Sequence, residues 1–207
     1  MLTLKDYTIT YPNGLRLKYS DLHVAKGELV GIFGPSGCGK TSLLESLFNP
    51  DFPGTVTGEA LLDGKPFPKA GPELYRQVSY CPQFSQAALN PKLTINDHIR
   101  LTRQGNDLPE DEVFLDELLT SLRLERSMLS RRPGGLSGGQ QQRMVLLLCA
   151  LKKPSLLILD EPSSAIDLIT LQDIVSFLES LKGDTTMLMV AHSRPLLEHI
   201  SDRIMDM

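Results

Sequence analysis

Cysteine is scarce in this 207-residue chain: three residues, Cys38, Cys81 and Cys149, stand far apart. An odd number at such spacing makes neither the disulfide framework of a small secreted domain nor a local metal motif, and it suits a reducing cytoplasm. Long apolar runs are missing as well. No stretch reaches the roughly eighteen residues that span a bilayer, and no basic and apolar leader opens the chain, so any dealing with a membrane is expected to pass through a partner. Nor is there a long Lys/Arg cluster. The 21 basic residues stand against 25 acidic ones, net charge −4, which leaves little electrostatic footprint for nucleic acid. Internal repeats, low-complexity tracts and heptads are absent too. What remains, at 41% hydrophobic content, is expected to fold as one compact domain, or one domain with a lobe, burying roughly 70% of its unfolded surface.

The most informative stretch present is Gly34-Pro35-Ser36-Gly37-Cys38-Gly39-Lys40-Thr41, a glycine, four residues, then glycine, lysine and threonine. A short apolar run, residues 28–33, precedes it, and residues 41–47 follow with helical apolar spacing. Strand, loop, helix is the context such a pattern needs. The glycines let backbone N–H groups turn inward around phosphate oxygens, and the helix adds the positive end of its dipole. Lys40 is expected to reach the β and γ phosphates, and the Thr41 hydroxyl to hold Mg2+.

The first thirty residues alternate. Leu2, Leu4, Tyr7, Ile9 and Tyr11 precede a turn at Pro12-Asn13-Gly14, and Leu15, Leu17 and Tyr19 follow it, which reads as a hairpin of half-buried strands. Tyr11 could offer a flat surface to an adenine ring, although a core or turn tyrosine fits the spacing equally well. A second β segment spans residues 56–66, and a short strand at residues 78–81 leads to Pro82 and Gln83. From Phe84 to about Gly135 the pattern is helical. Pro109, Glu110, Asp111 and Glu112 read as a helix start, with Val113, Phe114, Leu118, Leu119 and Leu122 as its apolar face. Arg131 and Arg132 close this lobe as a solvated basic pair.

Leu136-Ser137-Gly138-Gly139-Gln140 opens a strongly apolar helix. A serine and two glycines at a helix N-terminus could make a second anion site, or simply an ordinary cap. Residues 156–159 are all apolar and end in Asp160, as in a parallel strand buried on both faces; ligands bind where such strands end. Asp160 is therefore placed to bind Mg2+ through water, and Glu161 to orient or deprotonate a water. A further buried strand, residues 187–191, brings His192 to the same sheet edge, within plausible reach of a γ phosphate.

Taken together, these residues resemble the ATP-binding-cassette family over nearly the whole chain. The phosphate loop alone marks only a superfamily, but LSGGQ at residues 136–140 upstream of the strand ending in Asp160 and Glu161 is close to diagnostic. The resemblance implies an α/β fold of the P-loop type, a mainly parallel sheet flanked by helices, with an antiparallel β subdomain and a helical subdomain. Within one domain, 1–207, residues 1–83 and 152–207 would form the nucleotide-binding core and 84–151 the helical signature subdomain. It implies two cassettes in a head-to-tail dimer with ATP and Mg2+ between them. Tyr11, Gly34, Pro35, Ser36, Gly37, Cys38, Gly39, Lys40, Thr41 and Ser42 would hold the nucleotide of their own subunit. Ser137, Gly138, Gly139, Gln140 and the D-loop, residues 164–167 ending in Asp167, would serve the partner's. Thr41, Gln83 and Asp160 would serve the metal, Glu161 would be the catalytic base assisted by Lys40, Gln83 and the switch residue His192, and Gln83 would link the metal to a transmembrane permease.

A narrower resemblance joins residues 83–91, ending Leu89-Asn90-Pro91, to importers of peptides and nickel, with an extracytoplasmic binding protein as a further partner and the cytoplasmic membrane face as the location. Two features depart from the family pattern: Ser193 and Arg194 follow His192 where an aspartate is usual, and the chain stops at Met207 inside an expected strand. The opposing reading is a non-transport cassette acting on nucleic acid or ribosomes. Such relatives carry long coiled-coil insertions or two cassettes per chain; this chain has neither.

Overall fold

The computed structural model describes residues 1–163 and 166–207, the side chains of residues 85 and 86 excepted. Two five-stranded sheets carry the fold. The first is antiparallel, in the order β2 (Arg16–Lys18), β1 (Leu2–Thr10), β5 (Thr55–Leu62), β6 (Lys65–Pro66), with β3 (Leu22–Val24) also on β1. The second is parallel, in the order β10 (Arg203–Asp206), β4 (Leu29–Phe33), β9 (Thr186–Val190), β8 (Leu156–Asp160), β7 (Val78–Cys81).

In β1 the buried apolar residues change phase, from even positions at Leu2 and Leu4 to odd ones at Tyr7 and Ile9. Strict alternation cannot place both sets on one face. The register shift against β5 between Lys5 and Thr8, with Asp6 at φ 50°, absorbs the extra residue. Gly58 lies against this bulge at φ +97°, where a Cβ would stand 2.4 Å from the Asp6 carbonyl oxygen. Only glycine fits.

The all-apolar strands of the parallel sheet feed two separate cores. Val30, Ile32, Ile158 and Val190 join Leu43, Leu44 and Leu47 of α1 (Lys40–Phe48) and the inner face of β1. Their strand neighbours Leu157, Leu159, Met187 and Met189 point the other way, into Met144 and Leu147 of α6 (Gly138–Leu151), Phe177 of α7 (Leu168–Leu181) and Leu197 of α8 (Arg194–Ile200). Burial on both faces is what the sequence pattern implies for a parallel sheet. Beyond the short α2 (Pro72–Gln77), the stretch between β7 and β8 is helical: α3 (Ser85–Ala88), α4 (Ile95–Gly105), α5 (Glu112–Ser121) and α6.

α5 departs from the sequence reading at its start. Pro109 and Glu110 precede the helix, and Asp111 is its cap, accepting a hydrogen bond from the Phe114 N–H. A side-chain acceptor at that position satisfies an orphan donor, which proline cannot do. The buried face runs through Leu115, Leu118, Leu119 and Leu122, while Val113 is exposed. The three- and four-residue spacing starts two positions later than expected.

The edge strand β10 is fastened by charge. Glu28 is raised by burial but lowered further by hydrogen bonds from Arg203 and from the Ala25 N–H, so its carboxyl lies below the usual range. Burial likewise raises Asp202, and the Leu29 N–H together with Lys182 brings it below its ordinary value. A carboxylate whose folded pKa is depressed contributes stability that is present above the unfolded pKa, about 4 for these groups, and is lost as pH falls through the folded one. Thermal melts are therefore expected to show the midpoint falling between about pH 5 and pH 3, and Asp202→Asn to flatten part of that fall. An unchanged acid limb in the variant would show that this contact has no part in the pH response.

Candidate active site

The C-terminal ends of β4, β7, β8 and β9 deliver the predicted residues to one edge of the parallel sheet. Gly34–Gly39 links β4 to α1, Gln83 follows β7, Asp160 ends β8 with Glu161 after it, and His192 follows β9. A cleft of about 490 Å3 is lined by Tyr11, Ser36, Gly37, Gly39, Lys40, Thr41, Ser42, Gln83, Glu161 and His192, with Asn13, Leu15 and Leu17 at its rim.

The loop conformation depends on Gly37 and Gly39, at φ +80° and +104°. At Gly39 space is short as well, because a Cβ would stand 2.8 Å from Leu17 Cδ1 and 2.9 Å from the Tyr19 hydroxyl. Tyr19 donates to the Gly39 carbonyl at 2.9 Å, bracing the loop from the antiparallel sheet. Its phenol is held protonated far above the ordinary range by burial and by its neighbours Tyr11 and Tyr7. No side chain caps the first turn of α1, whereas Ser137 caps α6 and Asp167 caps α7. An uncapped helix start lining a cleft is a phosphate-binding arrangement. The Lys40 ammonium, itself buried, donates to the Gly34 and Pro35 carbonyls at 2.8 and 3.0 Å. Cys38 turns its sulfur toward the body: an added Cβ at Gly34 would meet it at 3.0 Å and the Met207 carbonyl at 2.9 Å.

Below the loop, Thr41 Oγ1 donates to Asp160 Oδ1 at 3.4 Å, and the Tyr80 phenol donates to Asp160 Oδ2 at 3.0 Å. Burial raises the Asp160 carboxyl, and the neighbouring Glu161 charge adds to that rise, while the two hydroxyl donors and Lys40 counter it. Among the described residues no cluster of three or more His, Cys, Asp or Glu side chains could hold a metal. One buried carboxylate beside one hydroxyl is instead the donor set that suits Mg2+, which keeps waters and takes phosphate oxygens for the rest. Thr41 and Asp160 fit that ion.

Glu161 has φ 48°, and its N–H donates to the Val190 carbonyl at 3.0 Å, which fixes the backbone at the end of β9. Its two carboxylate oxygens meet Gln83 Nε2 at 2.7 Å and His192 Nε2 at 2.6 Å. Residues 83, 161 and 192, scattered in sequence, thus meet at one carboxylate over the cleft. Tyr11 donates to Ser42 Oγ at 2.8 Å and meets Phe52 edge to face, 5.7 Å between centroids.

The signature lies elsewhere. Ser137 and Gln140 form a reciprocal capping box at the start of α6, and Ser137 and Gly138 are exposed. Gln141 Nε2 donates to the Pro133 and Leu136 carbonyls and holds the turn before it. An added Cβ at Gly139 would stand 2.7 Å from Thr170 Oγ1, so the signature abuts the start of α7. Asp167 is engaged there, accepting from the Thr170 N–H and hydroxyl at 2.9 Å each. The first two residues of the expected D-loop, 164 and 165, lie outside the described residues. None of residues 137–140 lines the cleft around Lys40.

Sequence reasoning missed three residues that support the site: Tyr19, Tyr80 and Phe48, whose ring stacks on Tyr80 at 5.2 Å and 17°. Tyrosines in alternating strands carry no local mark distinguishing a brace from a core residue.

A glycine loop on a helix start, at a parallel sheet edge shared with an Asp-Glu pair, defines a P-loop nucleotide-binding protein. Within that class the chain belongs to the ABC transporter family, whose model matches residues 17–164. It is 36% identical to the spermidine/putrescine import ATP-binding protein PotA of Thermotoga maritima, over 91% of this chain and 50% of that protein. It is 32% identical to the phosphate import ATP-binding protein PstB of Corynebacterium efficiens, over 98% of this chain and 82% of that one. Among solved structures it is similar to a dimeric ATP-binding cassette in a post-hydrolysis state with ADP and phosphate bound. That similarity has a TM-score of 0.83 at 26% identity and covers all of this chain and 94% of the other. The chain spans about half the length of several of the curated relatives it matches.

Proposed function

We propose that this chain is the ATP-hydrolysing subunit of a membrane importer and works as one half of a head-to-tail pair of cassettes. The observation that carries the pairing is the separation of the phosphate-loop helix start and the signature helix start on one chain. Lys40, Thr41 and the uncapped start of α1 line the cleft, while Ser137 and Gly138 stand exposed outside it and Gly139, half-buried, packs beside Thr170. In a head-to-tail pair, each cleft receives the other chain's signature, with Gln140 and Asp167 close behind it. The dimeric state of the cassette to which the fold is similar supports pairing.

The chain's own residues then divide the work. The loop N–H groups and Lys40 bind the triphosphate, exchanging the ammonium's contacts to Gly34 and Pro35 for phosphate oxygens. Tyr11 faces the base and Ser42 supports it. Thr41 and Asp160, with Gln83, would hold Mg2+, which would neutralise charge developing on the transferred phosphoryl group. Glu161, its backbone fixed at Val190, takes the proton of the attacking water, and His192 and Gln83 orient its carboxylate.

Among the described residues no helix is long and apolar enough to cross a membrane. Import therefore requires permease partners, with the cassette held peripherally at the cytoplasmic face and an extracytoplasmic binding protein delivering cargo. The relatives named for polyamine and phosphate import support importer as the class. The segment 83–91 supports peptides or nickel as the cargo. Capture from detergent-solubilised native membranes tests the reading: a polytopic permease is expected to come down with the tagged chain. Recovery of ribosomes or nucleic acid in its place would replace it with the non-transport alternative.

A further inference from the structure

Tyr80 has no role in the division of labour above, yet its hydroxyl touches the metal-holding carboxylate directly. We propose that Tyr80 is a positioning residue, whose phenol pins Asp160 Oδ2 so that Oδ1 is presented to Thr41 and the phosphate loop. The inference rests on the reading of the cleft as a Mg-ATP site.

Three observations carry it. The phenol donates to Oδ2 at 3.0 Å while Thr41 approaches Oδ1 at 3.4 Å, so the two oxygens of one carboxylate are spoken for by different hydroxyls on different elements. The Tyr80 ring is held flat against Phe48, 5.2 Å away at 17°, and Phe48 in turn meets Tyr75 edge to face at 5.7 Å. Phe48 is the last residue of α1, and Thr41 is in its first turn. Both hydroxyls that fix Asp160 are thus referred to the same helix, the one that carries the phosphate loop. Asp160 itself is 3% exposed, so little water competes for these contacts.

The physical need is plain. The terminal torsion of an aspartate is broad, and a free carboxylate samples orientations that spoil a nearly octahedral Mg2+ shell. A hydrogen bond to the oxygen not facing the metal removes that freedom. Outer partners of this type are typically worth about 10- to 100-fold in metal affinity. The ring's stacking supplies packing; only the hydroxyl supplies orientation.

Tyr80→Phe keeps the ring and removes the hydroxyl. Binding of a fluorescent ATP analogue, titrated with Mg2+ and separately measured in EDTA, reads the difference, and Mn2+ binding by electron paramagnetic resonance gives a second measure without turnover. The metal concentration for half-maximal effect is expected to rise about tenfold, with affinity in EDTA within about twofold of the original chain. In an Asp160→Asn background the same substitution is expected to change the metal requirement less than twofold, since the carboxylate it orients is gone. An unchanged metal requirement would overturn the proposal, and so would a parallel loss of affinity in EDTA, which would mark a purely structural role. If the original chain itself shows no gain with metal, the Mg-ATP reading fails, and this inference with it.

Discussion

Glu161→Gln is expected to lower ATP turnover by about 100-fold or more while ATP affinity stays within about threefold. General bases contribute about 10²- to 10⁴-fold, and this substitution removes the base without touching the phosphate cradle. The geometry favours a clean result. The backbone at Glu161 is fixed by its N–H bond to Val190, and the side chain is flanked by Gln83 and His192. Glutamine matches the shape but keeps one acceptor oxygen where the carboxylate offers two, so one of those flanking contacts weakens and the fold does not. With hydrolysis blocked, ATP is expected to hold two chains together, and light scattering should record a doubling of mass on adding Mg-ATP to the variant. Turnover near the original rate would remove Glu161 from the role of base; a variant that turns over slowly yet stays monomeric with ATP would remove the head-to-tail pair.

Lys40→Met is expected to act on the other side of the ledger, on binding. A hydrogen bond to a charged group is worth about 1.5–3 kcal/mol, or roughly 10- to 150-fold, and Lys40 is the only lysine or arginine among the described residues lining the cleft. ATP affinity should fall by that factor, with turnover falling at least as far, because the same charge meets the γ phosphate in the transition state. Lys40→Arg is not expected to restore it. The ammonium sits buried between the Gly34 and Pro35 carbonyls, a space for a compact point charge, and the planar guanidinium is larger and holds its donors in a fixed fork. Equilibrium binding of a labelled nucleotide decides the matter. Affinity within about twofold of the original in Lys40→Met would mean that the loop amides alone hold the phosphates.

The sheet strands and the phosphate loop could be read from the chain because their signals are local. An apolar run such as residues 156–159 admits only burial on both faces, and glycines at 37 and 39 mark a backbone that bends left-handed. The same locality explains the misplaced start of α5. Proline followed by acids and aspartate followed by a helix are both good starts, and only the finished packing, with Leu115 inward and Val113 outward, chooses Asp111. Strand order was not legible, since nothing in β4 announces that its neighbours come from residues 186–190 and 203–206. Nor were the braces. Tyr19 reaches Gly39 and Tyr80 reaches Asp160 over 20 and 80 positions, contacts that exist only once two sheets and α1 are stacked. For Cys38 the sequence left two orientations open, and packing against Gly34 selects the one facing the body.

The position of β4 in its sheet sets a timetable for the nascent chain. The antiparallel layer draws all its strands from residues 2–66, near neighbours that can pair while the ribosome is still reading the rest. β4, which ends in the phosphate loop, belongs to that early stretch but waits for two partners encoded more than 150 positions later. Non-local pairing carries the loop-closure cost that slows folding. The residues first made for nucleotide capture are therefore among the last to be locked in place, and a half-made chain carries a glycine loop whose own strand has no parallel neighbour on either side.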